Sequence, residues 1–136
     1  MRKSKNELSS EELCRLVVEG MLEKKAVNIV VMDLRAVKNA ITDYFVICSG
    51  NSETQIDAIA TSVEEEIYKK AQIHAWQKEG KENREWILID YVDVVAHVFR
   101  KDRRVFYDLE ALWGDAEIKM IEESFEATPK LEAVEV

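Results

Sequence analysis

A chain of 136 residues with 19 Lys and Arg against 27 Asp and Glu, net −8, has room for one ordinary core; at 47% hydrophobic and 34% charged it is too apolar for a disordered chain and too charged for a membrane protein. Such an acidic chain gains little from phosphate backbones, whose affinity comes from Lys and Arg displacing counterions, and suits basic protein partners instead. No apolar run reaches the roughly 20 residues of a bilayer span, no secretory core follows the first seven residues, and Cys14 and Cys48 each sit in an apolar stretch without a disulfide framework, so the chain reads as cytoplasmic.

The predicted elements follow in chain order. Ser9 and Glu12 have capping-box spacing, and Leu13, Leu16, Val17, Gly20 and Met21 share one face of the helix they open, which ends near Lys24 and Lys25. Ala26–Met32 is an apolar, β-branched run broken only by Asn28, the pattern of a strand covered on both faces, and Asp33 closes it. A connector through Arg35, Lys38 and Asn39 leads to a second strand, Asp43–Cys48, ended by Ser49-Gly50-Asn51. Ser52 and Gln55 repeat the capping spacing ahead of Ile56, Ile59, Ala60, Val63, Ile67 and Ala71 at helical steps. Ile73–Gln77 reads as a short strand, Glu79–Asn83 as a turn, and Trp86–Ile89 and Val94–Phe99 as two strands joined tightly through Asp90-Tyr91-Val92-Asp93. Asp102 can cap a last helix carrying Val105, Leu109, Leu112 and Trp113, stopped by Gly114; Glu117–Phe125 reads as a second short helix, and the tail from Thr128 as disordered. The order α-β-β-α-β-β-β-α gives an α/β (α+β) domain, a mixed β-sheet flanked by helices. Its boundaries are a flexible N-terminus at 1–8, a single domain at 9–116 and an acidic extension at 117–136, where six Glu and two Lys leave a net −4.

Enzyme chemistry finds little support in the residues. Gly50-Asn51-Ser52 precedes a helix whose N–H groups could hold an anion, but capping explains it, and neither a P-loop nor a dinucleotide fingerprint is present. Nucleotidyl transfer would also need carboxylates gathered around Mg²⁺ beside that loop, and Asp33, Asp43, Asp90 and Asp93 show no such motif. His74, His97, Cys14 and Cys48 lack zinc spacing, and His97 in an apolar strand reads as a hydrogen-bonded structural residue. The +3 island Arg100-Lys101-Asp102-Arg103-Arg104 reads as a solvated turn ahead of a helix rather than a phosphate site. What stands out is aromatic: Trp76, Trp86, Tyr91, Phe106, Tyr107 and Trp113 cannot all fill so small an interior, and Trp and Tyr are favoured as binding anchors.

Thr42-Asp43-Tyr44-Phe45-Val46-Ile47-Cys48-Ser49-Gly50, Glu79-Gly80, Trp86-Ile87-Leu88-Ile89-Asp90-Tyr91 with Asp93–Phe99, and Arg104 with Tyr107–Trp113 resemble, in that order, the ribosomal silencing factor or Iojap-like family. The resemblance runs from about Leu13 to Trp113. It implies a nucleotidyltransferase-like fold without transferase activity, catalytic residues, metal or cofactor. It also implies a translation repressor that binds the large ribosomal subunit through its fourteenth protein and blocks joining of the small subunit when nutrients are scarce, with little nucleic-acid contact and no membrane. By motif position Trp86, Asp90 and Tyr91 lie on the binding face, with Glu79 beside it. Two other readings stay open: a large-subunit assembly factor sharing that face, and a nucleotide-binding or nucleotidyl-transferring enzyme built on Gly50–Ser52. Oligomeric state is open too, a homodimer of the free chain being one option. The chain departs from the family in Val92, where Gly usually follows the Asp-Tyr pair, implying a different turn, and in its longer acidic extension.

Overall fold

The computed structural model describes residues 8–80, 85–107 and 117–120, the stretches 105–107 and 117–120 as backbone only. Helix α1, Ser10–Glu23, starts where its capping box dictates: Ser9 Oγ accepts from the Glu12 N–H at 3.0 Å and Glu12 Oε1 accepts from the Ser9 N–H at 3.0 Å. Lys25, at φ 63°, turns the chain into β1, Val27–Asp33. Helix α2, Glu53–Ala71, is capped by Ser52 and ends at Gln72 in the left-handed region, φ 56°. The remaining strands are β2, Tyr44–Gly50, β3, Gln77–Glu79, β4, Trp86–Asp90, β5, Val94–Arg100, and β6, Glu117–Met120, with a 3-10 segment at Lys101–Tyr107. They form one mixed sheet in the order β3-β4-β5-β2-β1-β6, in which β2 and β5 are parallel and every other pair is antiparallel. The α+β class expected from the sequence is the class observed.

Three local expectations differ. Glu117–Met120 is a strand, not the start of a helix, because it pairs with the free edge of β1, Val30 opposite Met120 and Asp33 opposite Glu117; those ladder hydrogen bonds override the local periodicity. The sheet therefore takes in residues beyond 116. Asp102 lies in the first turn of the 3-10 segment Lys101–Tyr107 rather than capping an α-helix; Leu109–Gly114, and the tail expected to be disordered, lie outside the described residues. The short strand is at Gln77–Glu79, later than Ile73–Gln77, because the left-handed cap at Gln72 spends the intervening residues returning the chain to the sheet edge, where the Trp76 N–H donates to the Asp90 carbonyl at 2.8 Å.

Alternation along the strands gives two faces. Ile29, Val31, Tyr44, Val46, Cys48, Ile87, Ile89, Val94, Ala96 and Val98 pack under the two helices. The helices touch closely at Gly20, where a Cβ would lie 2.7 Å from Val63 Cα, and Ser62 Oγ donates to the Gly20 carbonyl at 2.8 Å. Cys14 and Cys48 are buried free thiols in this core. On the opposite face Val30, Met32, Leu34, Phe45, Ile47, Val95 and Phe99 are buried, whereas Trp86 and Leu88 are half-open. His97 lies among them: its ring meets Phe45 edge-on at 4.5 Å, and its Nδ1 accepts from the Trp86 Nε1–H at 3.0 Å. That bond makes Nε2 the protonated nitrogen of a neutral ring, the structural role read from sequence, and Nε2 has no partner among the described residues. Burial pushes the His97 pKa down to about 3.

The β4–β5 connection is tighter than its sequence suggests. The Asp93 N–H donates to the Tyr91 carbonyl at 2.9 Å across Val92, which sits at φ 75°, a γ-turn of the rare positive-φ kind. The backbone conformation is thus one that glycine adopts freely, even though the side chain is valine. Asp90 Oδ1 accepts from the Val92 N–H at 2.7 Å, and Thr42 Oγ1 donates to the Val92 carbonyl at 2.9 Å.

Val92→Gly should stabilise the fold by roughly 1 kcal/mol, about 4 °C in Tm, by removing the strain of a β-branched residue at positive φ. A melt showing no gain would mean the turn relaxes at no cost. Gly20→Ala should destabilise by about 1 kcal/mol in denaturant titration, because overpacking of up to about 3 kcal/mol outweighs the roughly 1 kcal/mol that Ala gains in helix propensity. For His97 the folded pKa lies below the unfolded value of 6.5. The unfolded chain alone takes up this proton as pH falls, so stability is full above 6.5 and declines below it by about 1.4 kcal/mol per pH unit. His97→Phe should flatten that slope between pH 6.5 and 5; an unchanged slope would show that other groups carry it.

Candidate functional site

The two sheet faces sort the residues singled out by sequence. Along β4, Trp86, Leu88 and Asp90 point to one side and Ile87 and Ile89 to the other. Antiparallel pairing puts Glu79 opposite Leu88 and Gln77 opposite Asp90, so these join the Trp86 side, while Lys78, opposite Ile89, reaches to the helix side and pairs with Glu64 at 2.9 Å. Trp86, Asp90 and Glu79 therefore share one strip on the half of the sheet nearest β3. Leu88 belongs to it as well and was missed; its signal is the period of two that it completes between Trp86 and Asp90.

Tyr91 does not belong to the strip. It continues the Ile87, Ile89 side, is only 7% exposed in the helix-covered core, and its hydroxyl has no partner among the described residues. Burial raises its pKa, with the Glu64 charge adding to the effect, so the phenol stays neutral. The sequence placed it beside Trp86 and Asp90 as a turn residue, whereas the strand's alternation points it inward.

On the strip the Trp86 indole stacks on Phe99 with centroids 5.0 Å apart and turns its N–H inward to His97. Its outward surface is therefore carbon. Glu79 is exposed and its carboxylate accepts from Gln77 Nε2; Asp90 is half-exposed, one of its oxygens held by the Val92 N–H. The arrangement is an apolar pair bracketed by two carboxylates on a chain of net −8, which suits an apolar, positively charged surface.

The loop considered for anion binding is closed by the chain itself. Gln55 Oε1 accepts from the Asn51 N–H at 2.6 Å and Ser52 Oγ from the Gln55 N–H at 3.1 Å, while Gln55 Nε2 donates to the Lys24 and Lys25 carbonyls at 3.1 and 3.2 Å. Asp33, Asp43, Asp90 and Asp93 lie at the other end of the sheet, Asp33 opposite Tyr44 and the Asp43 N–H bonded to the Asp93 carbonyl. A seven-residue β2 separates them from Gly50, about 20 Å. No group of three or more metal-ligating side chains occurs among the described residues, and no helix there is long and apolar enough to cross a membrane. The basic island is engaged by the chain's own groups: Arg100 pairs with Glu53 and Asp102, Arg103 with Glu85, and Arg104 donates to the Asn28 carbonyl and Ser49 Oγ.

Comparison with known proteins supplies the family. The sequence profile described as "Ribosomal silencing factor during starvation" matches residues 7–135. Ribosomal silencing factor RsfS of Halalkalibacterium halodurans is 43% identical over 109 residues, 80% of this chain and 92% of that protein. A crystal structure of a protein from Chromobacterium violaceum superposes with a TM-score of 0.73 at 33% identity, covering 79% of this chain and 88% of that one. More distantly, the mouse protein named Mitochondrial assembly of ribosomal large subunit protein 1 is 36% identical over 75 residues, 53% of this chain and 32% of that protein. Profile, relatives and superposition agree: this chain belongs to the ribosomal silencing factor family.

Proposed function

We propose that this chain binds the large ribosomal subunit through its fourteenth protein, seats that protein on the strip of Glu79, Trp86, Leu88 and Asp90, and keeps the small subunit from joining, lowering translation when nutrients are scarce. The observation that carries the reading is the half-open Trp86–Leu88 pair between two carboxylates, beside a cluster of buried apolar residues on the same face. Aromatic anchors of this kind hold the largest share of interface energy, and flanking charges steer and orient a basic partner. A body with a radius of gyration of about 14 Å, placed where two subunits must meet, separates them without chemistry. The mouse relative's name favours a second reading, in which the same strip serves assembly of the large subunit.

Trp86→Ala should weaken binding to purified large subunits by about 2 kcal/mol, close to thirtyfold, in a pelleting titration. Asp90→Asn keeps the acceptor for the Val92 N–H and should bind nearly as wild type. Asp90→Lys places like charges together and should lose binding and the block on subunit joining, and added salt should weaken wild type. Full inhibition of joining by the Lys variant would move docking away from this strip. Cells lacking the chain decide between the two readings: mature large subunits with unchecked joining in starvation support silencing, and accumulated immature large subunits support assembly.

A further inference from the structure

Among the described residues, the large apolar side chains most open to solvent are Ile41, 87% exposed, Trp76, 70%, Val92, 56%, and Tyr68. Isolated exposed apolar residues are ordinary on any protein. These four are not scattered: they gather at the end of the sheet where β2 and β5 begin. Val92 is in the β4–β5 turn, and Ile41 and Trp76 stand on segments tied to it, through the Trp76 N–H to the Asp90 carbonyl at 2.8 Å, Thr42 Oγ1 to the Val92 carbonyl at 2.9 Å, and the Asp43 N–H to the Asp93 carbonyl at 3.0 Å. Tyr68 stacks on His74 at 4.7 Å, in the segment leading to Trp76. The loops are thus ordered before anything docks, which lowers the entropy lost on binding.

Val92 adds an independent observation. Its backbone holds the φ of 75° that glycine would adopt without strain, yet the position carries a β-branched side chain turned largely to solvent. Three hydrogen bonds hold this turn, to the Val92 N–H, to the Val92 carbonyl and across it from Asp93 to Tyr91, and backbone strain held in place by its surroundings clusters at sites that bind. The end also joins the strip physically: Asp90, on the strip, holds the Val92 N–H through Oδ1. Asp43, Asp90 and Asp93 border it, the charge that suits a basic partner.

We infer that the end of the sheet formed by Ile41, Val92 and Trp76 is a second docking surface, which receives an apolar side chain, flanked by basic residues, from the same ribosomal protein that occupies the Trp86–Leu88 strip. The inference rests on the proposed function and extends its contact around Asp90. It makes Val92 a residue whose removal improves the fold and impairs the binding.

The test uses the full chain with purified large subunits and compares wild type, Ile41→Ser, Val92→Gly and Trp86→Ala in a binding titration, with a thermal melt and a sedimentation measurement of each free protein. Ile41→Ser should lose affinity about fivefold at unchanged Tm, and Val92→Gly should lose about as much while melting higher. If both bind as wild type while Trp86→Ala is weakened, this second surface is refuted and the strip stands. If Trp86→Ala also binds as wild type, the proposed function fails and the inference with it. If Ile41→Ser and Val92→Gly leave subunit affinity intact but change the mass of the free protein, the surface serves a second copy of the chain and the inference is overturned.

Discussion

The parallel pairing of Tyr44–Gly50 with Val94–Arg100 is the constraint on which the other features depend. These strands lie at the centre of the sheet, and nearly all their side chains are buried. Because they run the same way, the chain between them has to travel back, and it does so as α2, β3 and β4. The pairing also brings both strand beginnings to one end, where the Asp93 carbonyl accepts from the N–H groups of Asp43 and Tyr44. Both strand ends fall at the other, where Gln55 and Arg104 use up the polar groups around Gly50 and Ser49. Internal hydrogen bonds tie the loops at both ends, and the end where the strands begin also exposes Ile41, Trp76 and Val92.

The same constraint separates the half-open strip from the core. β1, β2 and β5 are buried on both faces, so their alternation carries packing alone. β4 is buried on the helix side and half-open on the other, and there a two-residue period becomes a division of labour: Ile87 and Ile89 hold the fold, Trp86 and Leu88 are available. His97 connects the two roles. Its neutral ring, kept so by burial, fixes the indole from beneath and takes up the one polar atom of Trp86. What the strip offers a partner is shape and carbon, with the charge supplied by neighbours.

Legibility from sequence followed how local each determinant is. The capping pairs Ser9–Glu12 and Ser52–Gln55 act over three residues, and both helices begin where those residues place them. The strands at β1, β2, β4 and β5 were readable because apolar, β-branched runs carry the signal themselves. β6 was not, since Glu117-Ile118-Lys119-Met120 is short, and only its distant partner, the edge of β1, decides between a strand and a helical turn. Trp86, Leu88, Asp90 and Glu79 lie on one side of the sheet and Tyr91 on the other, a division that motif order alone does not give because the face of a strand residue depends on register. The positive φ of Val92 was signalled only by the glycine that the family usually carries there, since valine itself is among the residues least able to signal it.

The pairing of β6 with β1 has a consequence for how such a chain is made. Val30–Asp33 emerges early in synthesis and Glu117–Met120 late, so the outer edge of β1 waits for a partner nearly ninety residues downstream. Until then its row of unpaired N–H and C=O groups flanks Val30, Val31 and Met32, the kind of edge that recruits strands from other chains. Arg104, reaching back to the Asn28 carbonyl in the bulge of β1, is the nearer tether, and it arrives first. A polypeptide halted between the two would be a nearly finished sheet with one bare, apolar margin, prone to aggregate rather than to act.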